Sequence, residues 1–306
     1  MEPMSLGTLP IEVARRASIA WLPYEFARGV PLDRKRGLLA ARLAAGEGVL
    51  ELHEEGGSFL ALRALPWDSR FFGFGHARID AAGFDSRENG ERVLSRVERA
   101  LSSAGVRYFF AQVPVSDLMA LDVLGNAGWS VVENRLTYWM EDLSAFQPTR
   151  RYAVRSAVPG DIPELEDVAA SAVNVYDRFH ADPLLEPRAS ELLRIWVRRS
   201  VADGFADGVL IPATGPKAFM TYLHLKQEWE TSGTSISQLV LSAVHPSAPG
   251  WHPRLVSEGL VHLRDAGAVS AVMTTQASNR GVVRSCEHVG FRLAVSSLIM
   301  RKIIPS

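Results

Sequence analysis

The ends of the two halves of this chain resemble each other, and no other feature of the sequence limits the fold as strongly. Residues 124–140 (LGNAGWSVVENRLTYWM) and 286–301 (CEHVGFRLAVSSLIMR) each predict the end of a helix, a glycine with an aromatic residue after it, and a strand. Gly128 and Gly290 stand 162 positions apart. A helix that ends at glycine before a strand is common, so a chance likeness stays an alternative. A duplication predicts two similar α/β halves, for which 306 residues suffice.

Composition and charge limit the classes of partner. Hydrophobic residues make up 47% of the chain and charged residues 22%, which predicts a packed core and little disorder. The net charge is −1 and the basic residues are scattered, so we expect no nucleic-acid partner, since phosphate backbones bind clustered positive charge. Cys286 is the single cysteine, which excludes an intrachain disulfide and a cysteine-cluster metal site. We expect no bound metal.

The start of the sequence predicts neither secretion nor membrane insertion. Met1 to Pro10 lacks the basic and then apolar order of a signal peptide. No apolar run approaches the ~20 residues of a membrane span. Together with the single cysteine, this predicts a cytoplasmic protein that does not associate with a membrane.

Three segments are predicted along the chain. Apolar spacing indicates helices in residues 1–45, an N-terminal extension, and a first α/β domain covers residues 46–146. A linker with Pro148 follows, and residues 151–306 form the second α/β domain. Its pattern predicts a strand at 235–244, a helix at 253–266, a strand at 268–275, a helix at 280–288 and a last strand at 291–302.

Two motifs in the second domain have a recognisable spacing. The first is an apolar strand that ends at Val244 and continues as Val-x-Pro through Pro246. The second follows the spacing Asn-x-x-Ala-x-x-x-Tyr-x-x-x-Gly-Phe, with Asn279, Val282, Cys286, Gly290 and Phe291. With both motifs, residues 150–302 resemble the GCN5-related N-acetyltransferase (GNAT) superfamily. The resemblance implies the α/β GNAT fold, a mixed and mostly antiparallel central sheet flanked by helices, in tandem with a degenerate GNAT-like first half.

The resemblance also implies acetyl-CoA as the acyl donor. In relatives, the strand end and the start of the next helix hold this cosubstrate, and a backbone N–H, here that of Val244, polarises the thioester carbonyl. The implied contact residues are Leu241, Ala243, Val244, Gly250, Trp251, His252, Arg254, Asn279 and Val282. The loop departs from the family pattern, because it has one glycine and no basic residue before it, and Pro253 removes a backbone donor.

Two side chains are candidates for proton transfer. Cys286 occupies the position of the tyrosine that protonates the departing thiolate in relatives, and a small apolar filler on a helix is the alternative. His245 is a candidate general base, since neutral histidine accepts protons near pH 7. His180, His224 and Glu228 are further candidates, and the sequence does not rank them.

Two aromatic-containing segments narrow the resemblance. Residues 177–183 (DRFHADP), followed by Trp196, match a Ser-Arg-Phe-x-x-Asp segment except for Asp177, and residues 65–74 (LPWDSRFFGF) match Trp-Asp-Ser-x-Phe-Phe-Gly. Both segments resemble sugar N-acetyltransferases such as dTDP-fucosamine acetyltransferase. The likeness implies that the acceptor is the amine of an amino sugar nucleotide or of a similar small intermediate. The implied substrate contacts are Arg178, Phe179, His180, Trp196 and His224.

The departures in the loop and at Cys286 support a second hypothesis. In it, the chain keeps a GNAT-like fold with a degenerate CoA loop and serves in binding or regulation, or in a reaction other than acetyl transfer. The expected partners are a small-molecule amine and acyl-CoA under the first hypothesis, and a homodimer is left open. Binding of acetyl-CoA and of CoA separates the two hypotheses.

Overall fold

The computed structural model of the chain describes residues 9–171 and 177–305, apart from residues 26 and 28. The helices are α1 (Leu9–Arg16), α2 (Leu32–Ala45), α3 (Pro66–Phe72), α4 (Arg87–Ser103), α5 (Leu118–Asn126), α6 (Ile162–Ser171), α7 (Arg178–Ala181), α8 (Glu186–Ala202), α9 (Lys226–Ser232), α10 (Trp251–Asp265) and α11 (Arg280–His288). The strands are β1 (Glu51–Glu55), β2 (Ser58–Ala64), β3 (Gly75–Gly83), β4 (Val106–Pro114), β5 (Ser130–Met140), β6 (Val154–Ser156), β7 (Gly208–Pro212), β8 (Ala218–His224), β9 (Ile236–Val244), β10 (Ser270–Gln276) and β11 (Arg292–Ile303). None of the helices in the described part of the chain has the length and apolar character needed to cross a membrane.

The chain forms two compact units. Unit 1 comprises the residues up to Asn134 together with those from Ser296 onward, and unit 2 comprises Arg135–Val295. The unit boundaries therefore fall inside β5 and β11, whereas the sequence predicted domains at 46–146 and 151–306. The predicted domain limits describe the repeat along the sequence, and they stay a prediction. Residues 1–8 of the predicted N-terminal extension lie outside the described residues.

Unit 1 has a mixed sheet with helices on both faces. Its strand order is β1-β2-β3-β4-β11, in which β3 and β4 are parallel and the other neighbours antiparallel. Helix α4 buries Val93 and Val97, which recur at helical spacing, against one face. Helices α1 and α2 bury Val13 and Leu39 against Phe59 on the other face. The described part of the extension is thus integral to the core of unit 1.

Unit 2 repeats this design with more strands. Its order is β5-β10-β9-β8-β7-β6, in which β9 and β10 are parallel and the other neighbours antiparallel. Helices α10 and α11 cover one face, where Leu255 and Leu260 are fully buried, and α6 and α8 cover the other, where Leu165 and Val197 are. These units confirm the predicted α/β class with mixed, mostly antiparallel sheets.

The backbone repeats with the offset of 162 that the sequence suggested. Asp117 caps α5 through a bond from the N–H of Ala120 at 3.1 Å, and Asn279 caps α11 through a bond from the N–H of Val282 at 3.3 Å. Both helices end before a glycine in the left-handed region, Gly128 and Gly290. Corresponding positions therefore have the same local structure in both halves.

Each unit takes its last strand from the other half of the chain. In unit 1, Met300 of β11 pairs with Ala111 of β4, and in unit 2, Tyr138 of β5 pairs with Met273 of β10. These two pairs are related by the same offset of 162 residues. The exchange explains why the compact units do not follow the order of the chain.

Candidate functional site

A gap opens between the two parallel strands of unit 2. Strands β9 and β10 are paired from Ile236 and Ser270 to Leu239 and Met273. Strand β9 then continues to Val244 and β10 to Gln276. We call residues 240–244 and 274–276 the strand fork. A fork in a sheet exposes backbone donors and acceptors along its inner edges, where an extended ligand can bind.

A β-bulge bends β9 at the start of the strand fork. Val240 and Leu241 together oppose Thr221 of β8, where the register shifts. The N–H of Leu241 donates to the Thr221 hydroxyl at 2.9 Å, so a side chain satisfies the group that the bulge displaces. A bulge increases the local twist and turns a strand away from its neighbour. It therefore accounts for the separation of β9 from β10.

The bulge also fixes the direction of the next backbone donors. The N–H of Leu241 points to β8, and so does that of His245, which donates to Lys217 O at 2.9 Å. Backbone N–H groups alternate between the two edges of a strand. The N–H groups of Ser242 and Val244 consequently point into the strand fork. Two donors are thus aimed at one gap, an arrangement that can stabilise negative charge on an oxygen.

The predicted cosubstrate residues of β9 are divided between the two faces of the sheet. Val244 belongs with Trp251 and Val282, which pack against the core under α10 and α11. Leu241 and Ala243 pack on the other face, under α6 and α8. The side chains of Leu241 and Ala243 are therefore held in that core, and these two residues offer a ligand in the strand fork their backbone groups.

Helix α10 begins directly after the strand fork and its first turn is open. Its N-cap, Gly250, has φ 82° and no side-chain capping bond. The first-turn N–H groups, apart from the missing one at Pro253, therefore face an anion or solvent. The guanidinium of Arg254 lies 5.2 Å from the ring centroid of Trp251. The N-terminus of this 15-residue helix can hold one phosphate group.

His252 joins α10 to α11 and keeps a buried acceptor. Its Nδ1 lies 3.0 Å from the hydroxyl of Ser285, and that hydroxyl donates to Gly281 O at 2.9 Å. Nδ1 must therefore carry the proton, which leaves Nε2 as an acceptor with no partner in the described part of the chain. Burial lowers the pKa of His252 to about 4, so the ring is neutral near pH 7.

Solved structures with a similar fold include several acetyltransferases. A GCN5-related N-acetyltransferase from Sphaerobacter thermophilus is 14% identical, with 87% of this chain and 86% of that chain covered and a TM-score of 0.58. A tandem GNAT protein from the clavulanic acid biosynthesis pathway is 13% identical over 89% and 88%, with a TM-score of 0.51. A GCN5-related glucosamine N-acetyltransferase region in a fungal multi-domain GH3 β-N-acetylglucosaminidase is 11% identical over 87% of this chain and 34% of that chain, with a TM-score of 0.60. The chain has the GNAT fold.

At these identities the likeness shows the fold alone. No protein-family model matches the chain, and no curated protein matches it either. The predicted GNAT fold is thereby confirmed, and the reaction has to be argued from the residues. In the described residues, no group of three or more His, Cys, Asp or Glu side chains is placed to hold a metal ion.

Cys286 lies in the core of this GNAT fold. The residue is fully buried, and its sulfur is 3.6 Å from that of Met273. Burial raises the pKa of the thiol to about 12. Its counterpart 162 positions earlier is Leu124, whose carbonyl accepts from the N–H of Trp129 as that of Cys286 accepts from Phe291. These surroundings favour the packing interpretation over the catalytic one.

Replacing Cys286 with alanine is expected to leave turnover within about 2-fold and to lower the free energy of unfolding by about 1 kcal/mol, because a buried sulfur is lost. Steady-state kinetics and chemical denaturation measure the two effects. If kcat falls more than 10-fold while the secondary structure is unchanged, the Cys286 thiol is the acid that protonates the departing thiolate.

His245 is the candidate base beside the strand fork. It follows Val244 directly, and its Nδ1 lies 2.6 Å from the hydroxyl of Ser247. The residue is half-buried at the exit of the strand. Its position suits proton transfer at the open end of the strand fork, although its hydrogen-bond partner is a hydroxyl and not a carboxylate.

His224 lies at the opposite end of β8. It pairs with Ser237, whereas Ala218 at the start of β8 pairs with Val244. Six residues of strand separate the two pairs, about 20 Å along the sheet. Glu228 is buried in α9, four residues beyond His224. The structure therefore does not place His224 or Glu228 at the open end of the strand fork, and their roles as substrate or base residues stay a prediction.

His180 forms a pair with a carboxylate. Its Nδ1 lies 2.9 Å from Asp177 Oδ2, and its side chain is only 5% exposed. Asp177 also caps α7 through the N–H groups of Phe179 and His180. Nε2 of His180 has no partner in the described part of the chain. The carboxylate orients the ring and leaves Nε2 as a proton acceptor, which is the arrangement of an oriented general base. Sequence analysis named His180 but not Asp177 as a site residue.

The remaining predicted substrate residues have structural contacts. Arg178 stacks on the ring of Phe179 at 4.4 Å. Trp196 of α8 packs against the core under α6 and α8 and meets Phe205 edge to face at 6.0 Å. The contacts of Trp196 favour a packing role, and its prediction as a substrate residue is not tested by them.

Unit 1 has a corresponding gap between its two parallel strands, and an acidic residue stands in the loop that follows the first of them. Pairing of β3 with β4 stops at Ile79, while β3 continues to Gly83. In the short loop before α4, Asp85 accepts from the N–H of Gly57 at 3.0 Å and from the hydroxyl of Ser58 at 2.5 Å. The bond from Ser58 lowers the pKa of Asp85 to about 2. A fixed carboxylate at this helix start repels a phosphate, which fits a degenerate first half.

Asp85 predicts a part of the acid unfolding of the protein. Its pKa is lower in the folded state, about 2 against 3.8, so folding favours the charged carboxylate. That contribution is present above pH 4 and is lost as the pH falls from 4 toward 2. In urea titrations, Asp85→Asn should therefore show a smaller difference in midpoint between pH 6 and pH 3 than the parent protein. An equal difference in both proteins would contradict the assignment, and Asp122→Asn, at an exposed ion pair, is the control.

Proposed function

We propose that the chain is an acyl-CoA-dependent N-acyltransferase that moves an acetyl group from acetyl-CoA to the amine of a small acceptor. The strand fork carries the proposal. It directs the N–H groups of Ser242 and Val244 into one gap, where they can donate to the thioester carbonyl as negative charge develops on its oxygen. Acetyl-CoA supplies the activated acyl group, and the chain supplies the donors and the proton acceptor.

The residues beyond the strand fork fit the arm and the pyrophosphate of this cosubstrate. Nε2 of His252 is a buried, neutral acceptor without a partner in the described part of the chain, and an amide N–H of the CoA arm that reached it would supply the missing donor. The open first turn of α10, from Gly250 onward, suits the pyrophosphate. Pro253 leaves this turn one donor short, so the helix contributes less than in the usual family loop.

Proton removal from the acceptor amine is assigned to one of two histidines. His180 is oriented by Asp177 and has a bare Nε2, whereas His245 lies beside the strand fork. His180→Ala and His245→Ala, each assayed from pH 6 to pH 9, distinguish them. Loss of the base moves or removes the acidic limb of the kcat/KM profile.

The acceptor is proposed to be an amino sugar nucleotide or a similar small amine. Support comes from the sequence likeness of residues 177–183 and 65–74 to sugar N-acetyltransferases. A structurally similar protein is described as containing a glucosamine N-acetyltransferase region. Acetyl transfer to a panel of amino sugars, their nucleotides, amino acids and polyamines, followed by release of free CoA thiol, tests this assignment.

Thermal unfolding with acetyl-CoA and CoA tests the proposed function itself. A ligand at 100 times its dissociation constant stabilises a folded protein by about 2.7 kcal/mol, which gives a clear rise in melting temperature. No rise at millimolar CoA would refute the proposal. A rise without turnover on the amine panel would favour the second hypothesis, a GNAT-like protein that binds CoA but does not transfer the acyl group.

A further inference from the structure

A groove lies along the outside of α10 in unit 2. Its walls are the first two turns of α10, residues 142–152 after β5, and the end of α11, and its volume is about 470 Å³. We call it the linker groove. This volume is within the range of small-molecule sites. Gly250 and Arg254, both predicted from the sequence as cosubstrate residues, line it next to the open first turn of α10.

One end of the linker groove is cationic. The guanidinium carbons of Arg150 and Arg254 lie 5.5 and 5.3 Å from the ring centroid of Tyr152, and all three residues line the groove. Neither arginine forms an ion pair in the described part of the chain. The contact with the shared ring restricts both side chains beside Tyr152, where each guanidinium is available to a phosphate group.

An acidic side chain also lines the linker groove. Asp142 lines it and accepts bonds from the N–H and the hydroxyl of Ser144. The bond from the hydroxyl lowers the pKa of Asp142, so the carboxylate is charged near pH 7. The lining therefore carries both signs of charge, and a phosphate group is attracted by Arg150 and Arg254 and repelled by Asp142.

A buried carboxylate of α10 holds the wall of the linker groove. Glu258 is 2% exposed and accepts from the N–H of Tyr152 at 2.6 Å and from Arg151 at 3.0 Å. Farther along, Arg264 donates to Phe146 O at 2.8 Å. The segment that carries Arg150 and Tyr152 is thus fixed to α10 at two points. The backbone that carries Arg150 and Tyr152 is therefore held against α10 before a ligand binds.

We propose that the linker groove binds the nucleoside 3′-phosphate end of coenzyme A, with Arg150 and Arg254 on the 3′-phosphate. The inference rests on the proposed function and deepens it. Guanidinium groups bind phosphate through two parallel bonds, which a single lysine does not provide. The assignment also explains how a loop without a basic residue of its own handles a cosubstrate with several negative charges. One cation comes from the linker and the other from the first turn of α10.

Calorimetric titration with CoA, dephospho-CoA and adenosine 3′,5′-bisphosphate tests the proposal. The parent protein should bind CoA at least about 10-fold more tightly than dephospho-CoA, because charge-assisted bonds to the 3′-phosphate are lost in the latter. Arg150→Ala and Arg254→Ala should each remove most of that difference. Arg150→Ala, outside the helix turn assigned to the pyrophosphate, should also leave the affinity for dephospho-CoA within about 2-fold. Arg254→Lys keeps the charge and should retain part of the preference.

Arg194→Ala is the matched control. This arginine of α8 forms a surface ion pair with Asp167 and does not line the groove. The CoA preference should be unchanged in it, and circular dichroism confirms that all variants are folded. Equal affinity of the parent protein for CoA and dephospho-CoA would overturn the proposal. An equal loss of affinity for both ligands in the Arg150 variant would overturn it as well.

Failure of the groove and failure of the proposed function give different results. If the protein transfers acetyl groups but binds CoA no more tightly than dephospho-CoA, the proposed 3′-phosphate site in the linker groove is wrong and the proposed acyltransferase function stands. Binding of adenosine 3′,5′-bisphosphate that depends on Arg150 and Arg254, without turnover on any amine, would keep the groove and refute the acyltransferase.

Discussion

Removal of residues 296–306 is expected to unfold unit 1 and to leave a core of unit 2. The deleted residues include the part of β11 that pairs with β4, and they carry Met300 and Ile304, both buried in the main core of unit 1. The loss of a strand and of two buried side chains costs more free energy than the stability of an ordinary domain, which is about 5–15 kcal/mol. Limited proteolysis with mass spectrometry should show cleavage throughout residues 9–134 and protection of much of 135–295.

A point substitution on the same strand refines this prediction. Met300→Asp places a charge in the core of unit 1 and should lower the free energy of unfolding by about 4 kcal/mol or more. Leu293→Asp is the control, since Leu293 is 55% exposed on the same strand, and it should change stability by about 0.5 kcal/mol or less. Similar losses in the two variants would contradict the assignment of residues 296–303 to the core of unit 1.

The second large effect is expected at Arg63 in unit 1. Arg63 is 1% exposed, pairs with the carboxylate of Asp80, and donates to Leu43 O at the end of α2 at 2.7 Å. Arg63→Ala leaves that carbonyl without its donor and the buried carboxylate with Arg78 as its remaining partner, so it should destabilise the protein by about 3–5 kcal/mol. Urea denaturation followed by far-ultraviolet circular dichroism measures the loss.

Arg78 provides the matched comparison, because it binds the same carboxylate from the surface. Its side chain is 39% exposed, and Arg78→Ala should lower stability by only about 0–1 kcal/mol. Equal losses of stability in Arg63→Ala and Arg78→Ala would show that the contribution of Arg63 does not come from its burial. Asp80→Asn, which keeps an acceptor for the buried guanidinium, should fall between the two alanine variants.

The local elements of the fold were largely predictable from the sequence. Strand β9 was predicted at 235–244 and lies at Ile236–Val244, and α11 was predicted and found at Arg280–His288. Helix α3 was missed, although Pro66 at its first turn and Gly73 with φ 81° after it are readable start and stop signals. Short-range signals therefore determined most elements, and the errors lie where an element is short.

The functional geometry was less predictable. The motif that ends at Val244 indicated the strand fork, because a family spacing marked it. The linker groove gave no such signal, since Arg150 and Tyr152 meet α10 about a hundred positions later in the chain, through Glu258. The exchange of β5 and β11 was also invisible, because either pairing of repeated strands satisfies the same local pattern. Long-range pairing between similar segments requires the structure.

The exchange of last strands bears on the order in which the protein folds during synthesis. Domains generally fold in the order in which they leave the ribosome. Here unit 2 has all of its strands once Val295 has emerged, whereas unit 1 still lacks the β11 residues that pair with β4. The half that is made first is therefore completed after the other, and its β4 edge stays without this partner until residues 297–303 have been released.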